Sequence, residues 1–258
     1  MSNFTHVVAY FESVVPAVAY NAVAIVPDGV FSRASGDGLY VPAGTQLVAA
    51  FGSVPIVGTA ANPRMRLNAP SLLRTALPFV RPLASAPGDT DPNVMMLLDR
   101  PIGFPNNEVL SVEVAWQVAD VMPVGVWGVL FFNNGFEPLP PGDAFWIRAT
   151  ATTAASAGEW STLTNLAFDV TLPEGNWAIT GFEHVCADPV AARVVCPGQS
   201  FRPGTLSVSN TQERTHAAFY DGQLGVFARF ASFAPPSVEV LCSGASAYHE
   251  VYFRVVKL

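Results

Sequence analysis

Four histidines, three cysteines and a modest set of carboxylates are the residues through which this 258-residue chain could do chemistry. His6, His184, His216 and His249 are scattered, with no His-x-His or His-x-x-x-His pair to offer two imidazoles to one ion. The nearest approach to a ligand cluster is Glu183-His184-x-Cys186, which also reads as a strand end carrying polar residues. Gly88-Asp-Thr-Asp-Pro-Asn93 offers alternating oxygens to calcium but lacks the later carboxylates of a full loop. Turn chemistry explains the same residues. Asp169, Glu183 and Glu239 are the carboxylates that could pair as an acid and a base across a groove, although nothing in the sequence makes any two converge. No nucleophile elbow, P-loop or dinucleotide fingerprint is present. No residue is therefore assigned a catalytic, cofactor-binding or metal-binding role, and a non-enzymatic protein without cofactor or small-molecule substrate is expected.

Cys186, Cys196 and Cys242 are odd in number and form no Cys-x-x-Cys, which suits small buried thiols in a reducing compartment better than a disulfide scaffold. No Lys or Arg precedes Arg33, so a secretory n-region is not expected, and the apolar run Val14–Val26 is broken by Pro16 and Asn21 and is too short to span a bilayer. Half the residues are hydrophobic and only 13% are charged, against roughly 25% in an average soluble protein. So little charge fits a surface packed against copies of itself, with a monomer covered in Ser, Thr and Asn as the competing reading. The net charge of −7 argues against a nucleic-acid-coating protein. Locally, no carboxylate falls between Asp37 and Asp89 while Arg64, Arg66, Arg74 and Arg81 all do. This basic window could meet a subunit, a genome, a lipid surface or water.

The elements that would position these residues are strands. Residues 3 to 15 read as a short amphipathic helix through Phe4, Val7, Val8, Phe11 and Val15, although a strand suits the same Val and aromatic content. From residue 21 onward, strands are expected near 22–27, 38–42, 46–53, 55–61, 93–99, 109–118 and 126–132, with a helical turn within 71–80. The Pro- and Gly-rich stretch 133–143 marks a boundary. Beyond it, strands are expected near 144–151, 165–172, 177–184, 190–196, 205–209, 216–220 with 224–230, 237–242 and 249–256. Eight short strands with regular turn signals suit a two-sheet sandwich. Most of the tryptophans (Trp116, Trp127, Trp146, Trp160 and Trp177) fall within strand patterns, which favours core or subunit contact over a sugar platform.

A repeat organises the whole. Val41-Pro-Ala-Gly-Thr-Gln-Leu-Val-Ala-Ala-Phe-Gly52 returns as Leu172-Pro-Glu-Gly-Asn-Trp-Ala-Ile-Thr-Gly-Phe-Glu183, and Ser111-Val-Glu-Val114 as Ser237-Val-Glu-Val240. The two copies read as the same hairpin in a diverged tandem duplication. The expected division is an arm at 1–20, a first sandwich at 21–135, a linker at 136–143 and a second sandwich at 144–258.

With these duplicated halves, the short Pro-rich linker, and Ala191-Ala-Arg193 followed by Phe201-Arg-Pro-Gly204, the chain resembles a double jelly-roll major capsid protein of a tailless icosahedral, bacteriophage-like virus. The resemblance covers residues 20 to 258 and rests on no diagnostic motif. It implies an all-β fold of two tandem eight-stranded jelly-roll sandwiches with a short N-terminal arm. It further implies a structural shell protein assembling as pseudo-hexameric homotrimers into a capsid lattice within a virion, built in the host cytoplasm. Penton or minor capsid proteins would be its partners, with an inner membrane or genome beneath the shell. A viral spike or fibre, a carbohydrate-binding double β-sandwich, and a double jelly-roll hydrolase or oxygenase stand as alternatives. The segment 84–108 is expected to form an exposed loop.

Overall fold

A computed structural model describes residues 5–27, 37–73, 79–80, 94–96, 101–133, 137–199, 201–209 and 225–258. Among them the protein is all-β, with one four-residue helix, α1 (Pro70–Leu73). No helix among the described residues is long and apolar enough to cross a membrane. The chain forms two compact units, an N-terminal one of Val8–Phe132 and a C-terminal one in which Met1–Val7 join Asn133–Leu258.

The N-terminal unit is built from β1 (Thr5–Val14), β2 (Asn21–Val23), β3 (Leu39–Val41), β4 (Gln46–Ser53), β5 (Arg64–Asn68), β6 (Phe79–Val80), β7 (Val94–Met96), β8 (Ile102–Gly103), β9 (Glu108–Ala115) and β10 (Val124–Asn133). One sheet runs β1-β10-β4-β7 with β8 also on β4, and the other runs β2-β9-β5-β6 with β3 also on β9. Strand β9 shows why: Leu110, Val112 and Val114 are buried while Val109, Ser111 and Glu113 are not, the period-two pattern of a sheet with one face in a core.

The C-terminal unit contains β11 (Ala144–Ala151), β12 (Ser161–Thr162), β13 (Ala167–Phe168), β14 (Asn176–Cys186), β15 (Pro189–Val195), β16 (Gly204–Ser209), β17 (Ala228–Ala231), β18 (Ser237–Cys242) and β19 (His249–Lys257). They form one nine-stranded sheet in the order β12-β18-β15-β16-β14-β19-β11-β13, with β17 also on β14. Its two parts meet where β14 and β16 run parallel over His184–Cys186 and Ser207–Ser209. The order β11-β19-β14-β17 repeats β1-β10-β4-β7, and β12-β18-β15-β16 repeats β2-β9-β5-β6. In both units the first strand lies beside the last, and one consecutive pair in each, β5 with β6 and β15 with β16, forms a hairpin within the second strand order.

Several expectations change. The helix at 3–15 is instead the ten-residue strand β1. Its Val7, Val8, Ala9 and Tyr10 are all fully buried, so the apolar positions do not mark a single helical face, and Val15 is exposed. Its backbone is also bonded to the segment after β2 around an isolated Tyr10–Ile25 bridge, Phe11 N to the Ala24 carbonyl and Val26 N to the Ala9 carbonyl. Residues 55–61 form only an isolated bridge between Val57 and Ala60, because Gly58 (φ 52°) and Asn62 (φ 49°) turn the chain there. The strand lies further on, at β5. Similarly 165–172 contracts to the two residues of β13. The repeated Pro-x-Gly segment is not a hairpin: β3 pairs with β9, while β4 belongs to the opposite sheet. Pro42 to Thr45 close a turn with Gly44 at φ 82°, which passes the chain from one sheet to the other.

Candidate metal centre

Alternation along β14 puts His184 and Cys186 on one face, two residues apart. The antiparallel register of β14 with β19 sets Val185 opposite Glu250, which brings His249 to the Cys186 end. Cys242 arrives as the last residue of β18, from the other part of the sheet. The ligand atoms of His184, Cys186 and His249 lie within 4.8 Å of one another. Cys242 Sγ stands 3.8 Å from Cys186 Sγ, beyond disulfide length, and both thiols are free. His184, His249 and Cys242 are fully buried and Cys186 is 2% exposed.

The outer nitrogens fix the tautomers. His249 Nε2 lies 3.1 Å from the Thr153 carbonyl and 3.3 Å from that of Ser246. Carbonyls only accept, so Nε2 carries the hydrogen and Nδ1 presents a lone pair. His184 Nε2, 3.0 Å away, then donates to it. His184 Nδ1 is left to accept from the Ser207 hydroxyl at 2.6 Å. The rings stack with centroids 5.2 Å apart and planes at 18°. Burial pushes the His184 imidazole down to about 4, so His184 is neutral near neutral pH. At the sulfurs, the Cys242 thiol donates toward Cys186 and, with both imidazoles nearby, lowers the Cys186 pKa, while holding that bond raises the pKa of Cys242. Cys196 stands apart from the cluster's interactions, its thiol pushed up to about 12 by burial.

Comparison of the chain with protein-family models, curated proteins and solved structures returns no match. The cluster is therefore read from its own geometry. A thiol beside an imidazole is the arrangement of a cysteine nucleophile and its base, but an attacking sulfur must be reached by substrate. These side chains lie inside the unit. What they offer is a closed pair of sulfurs and imidazoles, with Ser207, Thr153 and Ser246 holding the outer nitrogens.

The other residues noted in the sequence stay apart. Asp169 lies 3.6 Å from Arg148 Nε, and Glu239 accepts from Arg193 Nε at 2.5 Å. Arg193 also lies over the Trp160 ring at 4.0 Å. Glu183 is buried on β14, while Asp169 and Glu239 are held by different arginines. His6 Nδ1 accepts from the Arg202 amide at 2.9 Å and is not among the three clustered ligands. Within the basic window, Arg66 pairs with Glu113 at 2.7 Å and covers the Tyr20 ring at 3.9 Å. Arg64 donates to the Trp116 carbonyl at 3.2 Å. His216, Arg74, Arg81 and the Gly88–Asn93 segment lie outside the described residues. Trp116 and Trp177 are core residues, while Trp146 is 41% exposed.

Of the four cluster residues, the sequence singled out His184 and Cys186 but not Cys242 or His249. The partners lie 56 and 65 residues away from Cys186 and His184 respectively, joined only by strand order.

Proposed function

We propose that the chain is a structural shell subunit, a double jelly-roll major capsid protein that self-assembles as trimers into an icosahedral virion. The observation that carries this reading is the repeated strand order. In a jelly roll, eight strands divide into two four-stranded orders built from Greek keys, with the first strand beside the last. The orders β1-β10-β4-β7 with β2-β9-β5-β6, and β11-β19-β14-β17 with β12-β18-β15-β16, support two such units in tandem.

Surface chemistry supports it as well. Few charges are available to keep copies apart. Val121 and Phe233 are 87% and 86% exposed, and Met122, Phe145 and Trp146 also reach solvent. Association between copies would cover such residues and the open sheet edges. Arg64 and Arg66 are engaged within their own unit, so this reading gives neither of them a genome or lipid contact.

Solution mass and negative-stain imaging test the proposal. Trimers that assemble into hexagonal plates or closed shells are expected. A strictly monomeric protein that binds glycans would overturn it in favour of a carbohydrate-binding sandwich.

A further inference from the structure

His184, Cys186 and His249 hold their ligand atoms within 4.8 Å of one another, Cys242 adjoins through Cys186, and two of the pair spacings match those of a tetrahedral metal site. Two Zn–S bonds of about 2.3 Å at the tetrahedral angle hold their sulfurs about 3.8 Å apart. Cys186 and Cys242 already stand at 3.8 Å. Two Zn–N bonds of about 2.0–2.1 Å separate their nitrogens by about 3.3 Å. His184 Nε2 and His249 Nδ1, at 3.0 Å, need open by only a few tenths of an ångström. The nitrogens not facing the centre are held as ligand histidines are held, by a hydroxyl and backbone carbonyls.

We propose that His184, Cys186, Cys242 and His249 bind one structural zinc ion inside the C-terminal unit. The two sulfur and two imidazole ligands favour zinc over the oxygen-seeking calcium or magnesium. Binding releases the two thiol protons. His184 moves its remaining hydrogen from Nε2 to Nδ1, and the Ser207 hydroxyl turns to accept it. The dication and two thiolates sum to zero charge, which is what an apolar interior tolerates. The ion would tie β18 to β14 and β19, strands that lie in different parts of the nine-stranded sheet. With no ligand position open to solvent, its role is to hold structure rather than to catalyse.

The test uses the full chain, produced with zinc and purified under reducing conditions, with metal measured by mass spectrometry. About one zinc per chain is expected, falling below about a tenth in Cys186→Ser/Cys242→Ser and unchanged in Cys196→Ser. X-ray absorption of the wild-type protein should show two sulfurs near ~2.3 Å and two nitrogens near ~2.0 Å, a readout that holds even where the double variant fails to fold. Three results would each overturn the proposal: wild-type protein without zinc when offered a full equivalent, a coordination shell free of sulfur, or a native Cys186–Cys242 disulfide. None of them bears on shell assembly, which is read separately from particle formation.

Discussion

The two units share a strand order but solve the problem of their interior differently. In the N-terminal unit one large side chain, Tyr10 of β1, crosses the sheet, and its hydroxyl donates to the Phe51 carbonyl at 2.7 Å and meets Met65 Sδ at 3.1 Å. Space for it is made by Gly52 on β4 and Gly128 on β10, where an added Cβ would collide with the Tyr10 hydroxyl. In the C-terminal unit the register of the repeat puts Glu183 at the place of Gly52, buried on β14 opposite Tyr252 of β19. The buried polarity of this unit gathers next to Glu183, at His184, Cys186 and His249. The lesson is that the two units keep one strand order while differing at a single repeat position, Gly52 against Glu183, and in what polarity each buries.

The equivalence of the two frameworks can be broken first. Phe51 and Phe182 occupy the same place in the repeat, and both are fully buried. Phe182 stacks on Phe253 at 5.3 Å, and Phe51 meets Trp127 edge-on at 5.9 Å. Alanine at either should cost about 3–5 kcal/mol in denaturant unfolding. A loss under about 1 kcal/mol at one of them would show that the repeat does not place equivalent core residues.

Gly128 is the next most sensitive position. A Cβ there meets the Phe51 carbonyl oxygen as well as the Tyr10 ring, and backbone cannot step aside. At Gly52 the obstacles are the Tyr10 hydroxyl and the flexible end of Met65. Gly128→Ala should therefore cost about 3 kcal/mol and Gly52→Ala about half as much. Adding Tyr10→Phe should recover stability at Gly52→Ala and not at Gly128→Ala. Equal rescue of both would sink the claim that backbone contact distinguishes them.

Much of this framework was legible. The bounds of β4, β11 and β18 fall where the period-two patterns place them. Strand β5 was overlooked although Met65 and Leu67 point inward between Arg64, Arg66 and Asn68, because the neighbouring 55–61, with Ile56, Val57 and Thr59, carries more β-propensity. Propensity lost there to Gly58 and Asn62, whose positive φ bends the chain. For the site, the two-residue step from His184 to Cys186 was the only local signal. Cys242 and His249 enter through sheet order, which no spacing along the chain records.

Alkaline pH sharpens the contrast between the interiors. Burial raises the Tyr10 phenol above its ordinary value of 10.0. A raised pKa means the folded state keeps its proton where the unfolded state has lost it, so this contribution is intact below pH 10 and declines as pH climbs beyond it. The decline approaches about 1.4 kcal/mol per pH unit. Tyr10→Phe should remove that slope, at a cost near neutrality of about 1–2 kcal/mol from the unsatisfied Phe51 carbonyl. Identical alkaline unfolding of the two proteins would show that Tyr10 is not the titrating group.

The smallest effect belongs to the turns that lead into the last strand of each unit. Between β9 and β10, Asp120 Oδ2 accepts from the amides of Thr59 at 2.7 Å and Ala60 at 3.3 Å, and Oδ1 from Val121 at 2.7 Å and Met122 at 3.1 Å. These amides hold its pKa down to about 2, Met122 and Thr59 foremost. Between β18 and β19 the corresponding turn is held instead by the Ser246 carbonyl against His249. An exposed carboxylate anchors a loop without carrying much of the fold. Asp120→Ala should thus speed hydrogen exchange at Thr59, Ala60, Val121 and Met122 while leaving the unfolding midpoint nearly unchanged. Because the folded pKa is lowered, the anchor persists above the ordinary carboxylate range and fades only as pH falls toward 2. A large drop in the midpoint would mean that the turn supports the N-terminal core, and the two turns would then differ in weight as well as in chemistry.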